Sequence, residues 1–87
     1  MQSKNKPRPT ASERYHIERV AALPCVVCGE PGPSHVHEPD QGLWFVSLPL
    51  CPPCHTGPEG WHGTRQRWKL RRMSELQAIN ETLRELT

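Results

Sequence analysis

Apolar residues are scarce in this 87-residue chain, at 34%, and only five are aromatic: Tyr15, Trp44, Phe45, Trp61 and Trp68. So short and polar a chain buries a thin core and needs a further staple. No apolar run is long enough for a membrane-spanning helix, so no membrane partner is expected. The opening stretch, MQSKNKPRPTASER, has no apolar segment. No secretory signal is therefore expected, and the thiols should stay reduced in a cytoplasm. Carboxylates are sparse beside the central histidines. Glu38, Asp40 and Glu59 are too few for an acidic two-metal site. Lysine and arginine are absent altogether between Arg19 and Arg65.

What the middle of the chain does have is cysteine and histidine, with ten prolines across the whole sequence. The basic residues form two blocks around it. Lys4, Lys6, Arg8, Arg14 and Arg19 precede the cysteines, and Arg65, Arg67, Lys69, Arg71 and Arg72 follow them. Either block alone reads as a solvated face. Together they resemble arms that grip a polyanion around a neutral centre.

The local signals predict a single domain over 10–87, preceded by a flexible basic tail at 1–9. Thr10 with Glu13 matches a capping box, and Pro24 ends the helix that follows. Ile17, Val20 and Ala21 give that helix its apolar face, with Tyr15 and Ala22 as candidates to widen it. A short strand is expected around His35–His37, and LWFVSLPL (43–50) predicts a second. Pro52 suits the first position of a short helical turn, and another helix is expected from Gly63–Thr64. Ser74 with Gln77 repeats the capping-box pattern. It separates a core at 24–73 from a C-terminal helix at 74–87, whose Leu76, Ile79, Leu83 and Leu86 fall at helical spacing.

Cys25-x-x-Cys28 and Cys51-x-x-Cys54 have the spacing that brings four thiolates to one tetrahedral Zn²⁺. Such a site is closed, with no open position for water or substrate. It staples the fold and does no chemistry. Two disulfides are the other reading, disfavoured by reduced thiols. His35, His37, His55 and His62 are then surplus. Positions 35 and 37 share a strand face, and a zinc-held hairpin would carry all four imidazoles toward a second metal. His16 lies outside this region and is read as incidental.

The ordered motifs CVVCG…SHV…LPLCPPCH…WHG…RQRW resemble the HNH (ββα-metal, His-Me finger) endonucleases. The likeness is greatest to the small phage and prophage branch that includes recombination-enhancement nucleases, and it covers about residues 20–75. It implies a small α+β, zinc-stapled ββα-metal fold with an N-terminal helix and a C-terminal helical extension. It implies His35 as general base and His55 and His62 as ligands of a catalytic Mg²⁺ or Mn²⁺, beside the structural Zn²⁺. Ser34 occupies a position where relatives carry a ligating histidine or aspartate, so His37 is the candidate to complete the sphere. Val46 stands where an asparagine is usual, and the interval from His55 to His62 exceeds one helical turn.

The expected activity is phosphodiester hydrolysis in DNA. Arg65, Arg67 and Lys69 would hold neighbouring phosphates, in a bacterial or phage-infected host cytoplasm. A recombinase and a second copy of the chain are further candidate partners. The tryptophans, seven apart, are expected to pack rather than to stack on bases. The competing readings are a non-catalytic zinc ribbon that binds nucleic acid or protein, and an adaptor that pairs through the leucine stripe.

Overall fold

The computed structural model describes residues 8–87, so of the tail expected at 1–9 only Arg8 and Pro9 lie within the described residues. Helix α1 (Ala11–Ala21) starts where the capping box places it. The Thr10 hydroxyl accepts from the Glu13 N–H at 3.2 Å, and the Glu13 carboxylate accepts from the Thr10 N–H at 2.7 Å. Two donors that a helix start leaves unpaired are thereby satisfied. Of the expected apolar face, Val20 is buried, Ile17 and Ala21 are half-buried, and Tyr15 is exposed.

Strands β1 (His35–His37) and β2 (Leu48–Leu50) form a two-stranded antiparallel sheet that pairs His35 with Leu50, Val36 with Pro49 and His37 with Leu48. The Ser34 N–H and hydroxyl donate to the Ala21 and Leu23 carbonyls, tying β1 to the end of α1. The second strand is shorter than the composition of 43–50 suggests. Leu43–Val46 turn instead, with the Val46 N–H donating to the Leu43 carbonyl at 2.9 Å. Pro39 follows β1 closely and brings no N–H with which to extend the ladder.

Four short or medium helices complete the described chain: α1, then α2 (Pro52–His55), α3 (Gln66–Leu70) and α4 (Glu75–Leu86). Pro52 opens α2, and Ser74 with Gln77 caps α4 reciprocally. Trp68 is the largest buried side chain. Its indole N–H donates to the Cys54 carbonyl at 2.9 Å and its ring lies 4.7 Å from that of Trp61. The tryptophans therefore pack α3 onto the α2 turn, as their spacing suggested.

Of the apolar stripe of α4, Ile79 packs against the core and Leu86 is half-buried, but the deepest residues lie beside the stripe. Ala78 and Thr82 are buried, whereas Leu76 is 78% exposed and Leu83 42%. A small side chain allows α4 to approach β2 closely, and the Thr82 hydroxyl is satisfied by the Ala78 carbonyl at 2.8 Å. Arg19 donates to the Leu86 carbonyl at 2.6 Å and so fastens α1 to the last turn of α4.

Candidate metal centres

The first centre is the cysteine cluster. The Cys25–Cys28 turn is closed by the Gly29 N–H donating to the Cys25 carbonyl at 2.8 Å. Gly29 sits at φ 81°, which glycine adopts without a Cβ penalty. The Val26 N–H donates to the Pro49 carbonyl at 3.0 Å and sets this turn beside β2, which runs directly into Cys51. The four sulfurs come within 4.8 Å of one another, and those of Cys28 and Cys51 are 3.5 Å apart. A tetrahedron with Zn–S of about 2.3 Å has an edge of about 3.8 Å, so the donor set fits one structural zinc.

Burial pushes the Cys51 and Cys54 thiols up. It opposes ionisation of Cys25 too, yet backbone hydrogen bonds from Cys51, Cys28 and Val27 bring that thiol below its usual range. Metal binding to thiols releases their protons, so burial of Cys51 and Cys54 opposes the site until a cation is present.

The second centre begins one residue after Cys54. His35 and His37 share a face of β1, and both reach His55 at the end of α2. The Nδ1 atoms of His35 and His55 are 3.1 Å apart, and His37 Nδ1 is 3.2 Å from His55 Nε2. His62 Nε2 lies 3.2 Å from the same His55 nitrogen. One nitrogen each from His37, His55 and His62 thus converges within 4.8 Å, a set able to hold a metal ion.

The long interval from His55 to His62 is explained by the loop between them. It does not continue α2 but doubles back on it. The Trp61 and His62 N–H groups donate to the Cys54 and His55 carbonyls at 2.9 and 3.0 Å. Gly60 allows this approach: a Cβ there would lie 2.7–2.8 Å from the Pro53 and His55 carbonyl oxygens and the Cys54 carbonyl carbon. Desolvation first, then the neighbouring His37, His62 and His35 rings, depress the His55 pKa to about 4. Its imidazole is neutral at pH 7, the form that binds metal.

The positions that departed from the family pattern lie elsewhere. The Ser34 hydroxyl faces the Leu23 carbonyl, and Val46 lies in the exposed turn before β2. Of the expected phosphate contacts, Lys69 is exposed, while Arg67 is half-buried and its N–H donates to the Glu59 carbonyl. Arg65 has a left-handed backbone (φ 64°). Its side chain donates to the Trp61 carbonyl at 2.8 Å and its guanidinium lies 3.6 Å over the Trp61 ring. Arg65 and Lys69 line a shallow groove together with Arg72 of the same basic block, and no carboxylate is among the lining residues. Glu75 was missed as well. Its carboxylate lies 2.7 Å from His37 Nε2. As the first residue of α4 it reads in sequence only as a helix-starting acid.

No protein family matches the chain, and no curated protein or solved structure is significantly similar to it. Among the described residues no helix is long and apolar enough to cross a membrane.

Proposed function

We propose that the chain is a metal-dependent nuclease of the ββα-metal (HNH) kind, hydrolysing phosphodiester bonds in DNA. The observation that carries this reading is the convergence of His37, His55 and His62 on one point, with His35 at its edge. The order strand–strand–helix, with histidines on the first strand and on the helix, supports it. So does the groove of Arg65, Lys69 and Arg72, whose charges suit a phosphate backbone rather than base edges.

Three imidazoles suit zinc, nickel and similar borderline ions better than Mg²⁺, which prefers oxygen, and Mn²⁺ ranks below the later first-row ions in such sites. Bound there, a divalent ion would neutralise charge developing on the scissile phosphate and the leaving oxygen. With a metal held at its Nε2, a neutral His55 would carry its proton on Nδ1 and donate a hydrogen bond to Nδ1 of His35. That would leave His35 an unprotonated Nδ1 beside the cluster, with its own proton on Nε2. A water replacing His55 as partner of that lone pair would give up its proton there as it attacks phosphorus.

The test is nicking of supercoiled plasmid in Mg²⁺, Mn²⁺, Co²⁺ or Ni²⁺, with and without chelator. His35→Ala is expected to slow nicking by about 10²–10⁴-fold while one zinc per chain is retained. Undiminished nicking by that variant would overturn the assignment. If the wild type cuts in none of these ions yet binds DNA, the chain is a zinc-stapled nucleic-acid-binding module. The Ser34 and Val46 placements favour that second reading.

A further inference from the structure

His37 is the most enclosed of the clustered histidines, at 5% exposed, and it uses both ring nitrogens. Nδ1 faces the cluster and Nε2 faces Glu75 at 2.7 Å. Glu75 comes from a different part of the chain, the first residue of α4, 38 positions after His37. An acidic residue there would stabilise the helix while pointing into water. This carboxylate instead turns inward to a buried imidazole.

A carboxylate accepts only. For the contact to be a hydrogen bond, the His37 proton sits on Nε2, and in the neutral ring that leaves the lone pair on Nδ1. The Nδ1 atom is the one aimed at His55 and His62. We infer that Glu75 is a positioning residue of the histidine centre: it fixes the His37 tautomer and ring angle, and makes the start of α4 part of the metal site. This rests on the reading of His37, His55 and His62 as metal ligands. It adds that the C-terminal helix is required for the centre and is not an appendage to the finger.

A carboxylate behind a ligating imidazole raises its basicity and holds its orientation, and losing such a partner costs about 10–100-fold in metal affinity. The alternative is an ion pair with a doubly protonated His37, in which Nδ1 also carries a proton and repels a cation.

The two are separated on protein carrying zinc at its cysteines, titrated with Co²⁺ by calorimetry. Long-range ¹⁵N–¹H correlation of the histidine rings before cobalt is added gives a second readout. The wild type is expected to take one Co²⁺ and to show His37 protonated at Nε2 alone. Glu75→Ala and Glu75→Gln should weaken Co²⁺ binding about 10–100-fold, and Glu75→Ala should also populate the other tautomer. Glu75→Asp keeps the charge at the helix start but shortens the reach. It should lose affinity while retaining the melting temperature of the cobalt-free protein.

Unchanged Co²⁺ affinity in all three variants, a proton on His37 Nδ1, or no Co²⁺ uptake by the wild type would each overturn the inference. A wild type that binds Co²⁺ through Glu75-supported His37 but cleaves no DNA would leave the inference standing and remove the nuclease reading. Cleavage and Co²⁺ binding alike in wild type and variants would do the reverse.

Discussion

At the scale of single residues, the histidines are distinguished by what surrounds each ring. Burial first, and then contact with three other imidazoles, lowers the His55 pKa to about 4. His16 is also lowered, chiefly by burial and further by Arg19, against a backbone hydrogen bond at Phe45 that raises it. Both shifts have the same sign in linkage. Between pH 6.5 and 4 the unfolded chain binds protons that the folded chain refuses, so stability is full above about 6.5 and declines as the pH falls through that window. Urea midpoints of the zinc-loaded protein should therefore drop from pH 7 to pH 5, and His55→Asn should flatten the profile. An unaltered slope in that variant would remove His55 as the cause. Residue types and spacing made the cysteines and histidines legible in the sequence, because ligand turns are local. Glu75 was not legible, since nothing near it signals a partner 38 positions away.

At the scale of elements, the boundaries set by local chemistry were the readable ones. Thr10, Ser74 and Pro52 open helices through side chains and backbone within one turn, and the structure starts α1, α4 and α2 there. The second strand and the leucine stripe depended on tertiary pairing instead. Residues 43–46 have strand-like composition but form a turn, and α4 presents Ala78 and Thr82 inward because that is where β2 and α1 come close. The loop at 57–63 shows the same division. The sequence showed only that the interval exceeds one helical turn, and the fold shows that the loop returns His62 to His55. A methyl group on Gly60 must displace the Pro53–His55 backbone. Gly60→Ala is expected to cost about 1–3 kcal/mol by overpacking and to weaken Co²⁺ binding at the histidines. Urea denaturation with cobalt titration would check both, and wild-type values for both would show that the loop accommodates the group.

At the scale of the whole molecule, the buried set is small and centred on sulfur: Cys25, Cys51 and Cys54 lie among Val27, Leu48, Leu50, Trp68 and Ala78, with Cys28 half-buried beside them. Zinc binding to a four-ligand site is worth about 10–16 kcal/mol, comparable to or above the ~5–15 kcal/mol that separates most folded domains from their unfolded chains. Chelation of the zinc, or Cys54→Ser, is accordingly expected to abolish cooperative unfolding and the near-ultraviolet dichroism of the Trp61–Trp68 pair. A chelated chain that still melts cooperatively would show that the apolar core suffices. The adjacency of Cys54 and His55 has one more consequence. Four thiolates around Zn²⁺ leave a net charge of −2, one peptide unit from the histidine cluster. That charge would draw a cation toward the adjacent imidazoles, and the hairpin that zinc would stabilise is what sets those ligands in place. On the proposed reading the two metals would load in a fixed order, zinc at the sulfurs first, with the histidines taking their ion only in a chain that zinc has already folded.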